Sequence, residues 1–188
     1  MMARDYAQVW VTIWNDPDFQ TRTADAQWLY FTLLTHPLLN ACGVAPWREP
    51  KLIRMAAGMT VDRLREAAWN LSEVGLIAVD PDTEEALVRS FVRHDGILKS
   101  PNMTKGLVRE HGAIASLTIK ALVSREVRRA LHEHPDWKGV ETAEPISKQF
   151  PEAEETVYQM VPEWFQKGSE RVPARFHEGS DLVPSEIP

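Results

Sequence analysis

A single cysteine, Cys42, occurs in 188 residues, which excludes an intramolecular disulfide framework and suits a reducing cytosol. No apolar run approaches the roughly 18 residues that a membrane span requires. The opening residues, MMARDYAQVW, lack a basic stretch followed by an apolar core, so no secretory signal is read there. No Gly-rich phosphate loop, nucleophile elbow or His-Glu-x-x-His motif occurs. No Cys-x-x-Cys occurs either, and His132 and His134 are off register for one helical face, so spacing marks no metal site. These absences lead to the expectation of a non-enzymatic, cytoplasmic protein with no cofactor, no metal and no membrane contact.

Charge is present but unevenly placed. The formal net charge is −6. Residues 1–135 hold 16 Lys and Arg against 16 Asp and Glu, whereas residues 136–188 hold 5 against 11. The acidic excess therefore sits in the last stretch. Within the first part, Ala86 to His132 carries 9 basic and 3 acidic residues. A local basic surface is what phosphate attraction requires, whatever the global charge.

The segment with the clearest organisation is Pro50 to Arg93. Pro50 suits the first turn of a short helix, and Gly58 suits its end. Thr60 is placed to cap a second helix, Val61 to Val74, whose Val61, Leu64, Ala68, Leu71 and Val74 share one face. Gly75 closes that helix. Two strands follow, Leu76 to Val79 and Leu87 to Val92, joined across an acidic turn of Asp80, Asp82, Glu84 and Glu85. This order predicts a winged helix-turn-helix. The expected fold is mainly α with a small β-hairpin, a C-terminal helical extension and a largely irregular acidic tail.

Around that segment, Ala7 to Trp14 alternates and predicts a short strand or extended arm. Thr23 predicts the cap of a largely buried helix, Ala24 to about Thr35, stopped by Pro37. Asn40 to Trp47 predicts a loop with one short strand. Two further helices are expected, Pro101 to about His111 and about Ala113 or Ser116 to His134. After Pro135 the periodicity fades, and 6 of the 13 prolines fall there. The expected division is a winged domain over residues 6–96, a basic helical extension over 97–135, and an acidic, Pro-rich tail over 136–188 that is partly disordered or partner-bound. Tyr158, Trp164 and Phe165 make one patch of that tail too apolar for a solvated linker, and they are the expected partner-binding residues.

On the helix expected to enter a DNA groove, Arg63 and Arg65 can reach guanine edges or phosphates, Asn70 can read adenine, and Trp69 lies between them. Lys51 and Arg54 on the preceding helix are placed for phosphates. Asp62, Glu66 and Glu73 share the surface of the groove helix and oppose that role. The basic run Arg89, Arg93, Lys99, Lys105, Arg109, Lys120, Arg125, Arg128 and Arg129 is the stronger electrostatic signal.

Several short stretches occur in a set order: Asp16-Pro17-Asp18-Phe19, Ala26-Gln27-Trp28-Leu29-Tyr30, Gly43-Val44, Val79-Asp80-x-Asp82-Thr83-x-Glu85, Leu87 through Gly96, and Lys99-x-Pro101-Asn102. In this the chain resembles a winged helix-turn-helix family of actinobacteria and their phages. Its layout is similar to the N-terminal domain of DnaD-type phage replisome organizers. The resemblance covers roughly Trp10 to His134, and a second helical domain of the replisome-organizer kind is not expected after it. It implies a DNA-associated role in replication initiation or transcriptional regulation, in a phage or prophage setting and near the nucleoid. Double-stranded DNA is the expected partner, with a homodimer and a replisome or host protein as further expected partners. The alternative is a protein-interaction module that uses the winged helix and the acidic tail.

Overall fold

The computed structural model describes residues 7–150. The expected partner-binding residues Tyr158, Trp164 and Phe165 lie outside the described residues, as does most of the acidic tail.

The chain enters through a 3-10 turn, Val11–Asn15, where a short strand or extended arm was expected. The alternating residues find no partner strand among the described residues; Ile13 packs on the core, and the Trp14 ring lies 5.5 Å from that of Phe19. Helix α1, Pro17–Gln20, is capped by Asp16, whose side chain accepts from the Asp18 amide at 2.9 Å. Helix α2, Ala24–Leu34, starts where Thr23 accepts from the Ala26 amide at 3.3 Å. Leu29 and Leu33 are fully buried, and each such side chain contributes about 1.5–3 kcal/mol by leaving water.

Strand β1, Val44–Pro46, leads into helix α3, Glu49–Leu52, which ends sooner than Gly58 because the chain passes into a 3-10 turn, Ile53–Met55. Helix α4, Val61–Ser72, buries Leu64, Ala67, Ala68 and Leu71 and packs on α2. Its end is set by Gly75, at φ 67°, which lets the Leu76 amide return to the Leu71 carbonyl at 3.0 Å. Strands β2, Ile77–Asp80, and β3, Glu85–Val88, form a hairpin, and β1 pairs with the other edge of β3. The result is a three-stranded antiparallel sheet in the order β1-β3-β2, with Val44 opposite Leu87 and Val88 opposite Ile77.

The second hairpin strand is shorter than Leu87 to Val92. Ser90 turns the chain (φ −79°, ψ −3°) into a helical turn, α5, Phe91–His94. Phe91 and Val92 are both buried, and a helical turn brings two adjacent side chains against the sheet and the helices behind it.

A 3-10 turn, Ile97–Lys99, precedes helix α6, Pro101–Ala113, and helix α7, Leu117–Glu133. The Ser116 hydroxyl caps α7 by accepting from the Ile119 amide at 3.1 Å. The expected irregular stretch after Pro135 instead begins with helix α8, Val140–Ser147, whose Ala143 and Ile146 are buried against α6 and α7. Gly139 makes that approach possible. A Cβ there would come within 2.2 Å of the Thr104 hydroxyl and 2.5 Å of the Leu98 carbonyl oxygen. One hydrophobic cluster runs from Phe19 through Leu64, Leu87 and Leu107 to Ile146, so the expected divisions at residues 96 and 135 do not interrupt the core.

Candidate nucleic-acid interface

The exposed face of α4 is acidic. Burial of Leu64, Ala67, Ala68 and Leu71 against α2 turns Asp62, Glu66 and Glu73 outward, with Trp69 partly buried on the core. The two arginines of this helix are already paired. Arg63 places Nε 2.8 Å and Nη2 2.7 Å from the Asp25 carboxylate, while its Nη1 donates to the Gly58 carbonyl at 2.8 Å. Arg65 makes a matching fork on Glu49, both contacts at 2.8 Å. Paired carboxylates hold both guanidinium groups firmly protonated. Asn70 faces the start of α2. Its side-chain oxygen accepts from the Thr23 amide at 3.2 Å, and its carbonyl accepts from Arg22 at 3.0 Å. The three polar residues expected to read bases thus join α4 to α2, α3 and the residues beside them.

The basic run divides in two. Arg89, Arg93 and Arg129 converge on Glu126, whose side chain is 1% exposed, at 3.4, 2.8 and 3.8 Å. Arg93 also lies 3.8 Å from Glu133. Arg128 reaches the end of α8, donating to the Ser147 carbonyl at 2.8 and 3.0 Å and to the Phe150 carbonyl at 2.8 Å. Arg125 is half-buried beside the fully buried Ser124. These arginines attach α7 to α5 and α8.

The other half faces solvent. Lys105 is exposed, and no ion pair to it is found among the described residues. Arg109 is exposed beside Glu110 at 3.5 Å. The Lys120 ammonium donates to the Gly112 carbonyl at 3.4 Å. Lys99 stands 5.4 Å over the Trp137 ring, which stacks on His134 at 4.0 Å. Lys51 and Arg54 are likewise exposed on α3 and the turn after it. Both groups border one loop. Lys51 helps to lower the pKa of His36, behind the larger effect of burial, and Ala41, a few residues on, donates its amide to the Glu110 carboxylate.

Sequence reasoning missed three acids that organise this surface. Glu126 gave no signal beyond its position in a helix. Glu85, read as part of a repulsive turn, accepts the Ala115 and Ser116 amides at 3.0 and 2.8 Å and fixes the start of α7. Glu84 pairs with Arg48 at 3.3 Å, and Arg48 itself went unnoticed. Among the described residues no cluster of histidine, cysteine or acidic side chains could hold a metal ion, and no helix is long and apolar enough to cross a membrane. Comparison of the chain with protein-family models, with curated proteins and with solved structures gives no match.

Proposed function

We propose that this chain is a non-catalytic protein that binds double-stranded DNA through a winged helix-turn-helix, in replication initiation or transcriptional regulation of phage or prophage type. Support for the winged helix comes from the order α2-β1-α3-α4-β2-β3 with the sheet order β1-β3-β2. The observation that carries DNA binding is the sorting of cations. Lys51, Arg54, Lys105, Arg109 and Lys120 lie at or near the surface without a strong acidic partner among the described residues, whereas Arg63, Arg65, Arg89, Arg93 and Arg128 are engaged by carboxylates or carbonyls of the chain. On this reading the phosphate backbone is held by α3 and α6, and α4 contributes little base readout.

The test is affinity for a mixed-sequence duplex. Reversing Lys105 and Arg109 to Glu is expected to weaken binding by about tenfold or more, the scale expected when two phosphate contacts become repulsive. Unchanged affinity in that variant, or no binding by the parent protein at about 50 mM salt, where non-specific binders are held well, would sink the proposal. A second reading, a protein-interaction module, is favoured by one observation: Val9, Trp10, Val11 and Trp14 stand exposed together on the entering segment. It predicts a protein partner lost on replacing Val11, 80% exposed, with Asp, and no affinity for DNA.

A further inference from the structure

A cleft of about 460 Å³ opens between α3 and the turn that joins β2 to β3. Trp47 floors it, and Arg48, Lys51, Arg65, Glu49 and Glu84 supply its charges. Arg65 and Glu49 cancel in their two-point pair. What remains is Arg48 and Lys51 against Glu84.

The Arg48–Glu84 contact is of the easily broken kind. It is one approach, Nε to Oε2 at 3.3 Å, between side chains 49% and 62% exposed. Exposed single-point pairs add little to stability and yield to a competing anion. Glu84 does not depend on that pair for its place. Its carbonyl accepts the Trp47 amide at 2.7 Å, and its own amide donates to the Pro81 carbonyl at 3.3 Å. Its φ of 53° lies in the left-handed region, where glycine or asparagine is the unstrained choice. A glutamate thus has its backbone fixed, in a disfavoured conformation, with its carboxylate on Arg48 in the lining of the cleft.

We infer that Arg48 and Lys51 form a phosphate-binding cleft for duplex DNA and that Glu84 masks it in the free protein. The inference rests on the DNA-binding reading and deepens it. A backbone phosphate displaces the Glu84 carboxylate, takes the Arg48 fork and gains Lys51 as a second positive neighbour. The acidic turn then acts as a competitor that sets affinity, chiefly through Glu84.

The experiment measures dissociation constants for a mixed-sequence duplex at about 50 mM salt. Glu84→Gln is expected to tighten binding by about three- to fivefold, the range an exposed pair represents. Glu84→Gly, which also relieves the strained conformation, is expected to do the same. Asp82→Asn removes an exposed charge from the same turn but outside the cleft lining, and is expected to have a smaller effect. Arg48→Gln is expected to weaken binding and to abolish the gain from Glu84→Gln. If the parent protein binds DNA but Glu84→Gln is no tighter than Asp82→Asn, or keeps its gain without Arg48, the masked cleft is overturned and the DNA-binding reading stands. If neither the parent nor Glu84→Gln binds the duplex, both are overturned.

Discussion

Three guanidinium groups around one carboxylate make Glu126 the most consequential charged residue in the structure. With 1% of its side chain exposed, it has exchanged hydration for Arg89, Arg93 and Arg129. Such a cluster contributes little net stability compared with an apolar replacement, but removing one partner leaves buried charge uncompensated. Glu126→Gln keeps the shape and removes the charge. It is expected to cost about 3–5 kcal/mol, read as a fall in the denaturant midpoint. A midpoint equal to that of the parent would show that the arginines are solvated well enough without it. His111 makes a second prediction at this scale. It is 3% exposed, its Nε2 lies 3.1 Å from the Lys120 carbonyl and 3.1 Å from the Ser124 hydroxyl, and burial lowers its pKa from the ordinary 6.5. The carbonyl can only accept, so Nε2 carries the proton of a neutral ring. Because the unfolded chain binds a proton more readily, this residue's contribution is complete above about pH 6.5 and falls as the pH drops below it. Stability is expected to be lower at pH 5.5 than at pH 7.5, and the difference should shrink in His111→Gln. A full-sized pH slope in that variant would assign it to other groups, with His36 and His94, both also lowered, next in line.

Among the elements, α8 shows what the sequence concealed. Pro145 sits inside it and removes one helical hydrogen bond, so a propensity reading stops short of it. Burial of Ala143 and Ile146 and the Arg128 bonds to its last carbonyls offset that loss. Gly139 admits the helix, and Gly139→Ala is expected to destabilise the protein by about 1–3 kcal/mol as overpacking does, with amide exchange in α8 rising most. Unchanged exchange in α8 would mean that Thr104 and Leu98 yield readily. Elements with local signals were legible: Thr23 and Thr60 cap the helices they were expected to cap, and Gly75 ends α4. Elements decided by distant partners were not. The entering segment lacks a strand to pair with, and β3 yields to α5 because Phe91 and Val92 both pack inward. The candidate surface divides the same way. Exposure of Lys51, Arg54 and Lys105 follows from helix periodicity, whereas the capture of Arg63 by Asp25 joins residues 38 positions apart.

For the whole molecule, the distinction that matters is between total and available charge. Of the 15 residues expected to contact DNA, six cations remain at or near the surface without a strong acidic partner among the described residues: Lys51, Arg54, Lys99, Lys105, Arg109 and Lys120. Each phosphate neutralised on duplex DNA contributes about −0.9 to the slope of log affinity against log salt. Six such contacts give a slope of about −5, and including Arg63, Arg65, Arg89, Arg93, Arg128 and Arg129 would drive it to about −10. The intramolecular pairs therefore make a quantitative forecast. Titration of a mixed-sequence duplex from about 50 to 200 mM salt should give a slope between about −4 and −6. A slope near −10 would mean that the buried and paired arginines leave their partners on binding, which would require opening the Glu126 cluster and parting α7 from α5. A slope shallower than about −2 would leave at most two phosphate contacts, too few for α3 and α6 to share the work.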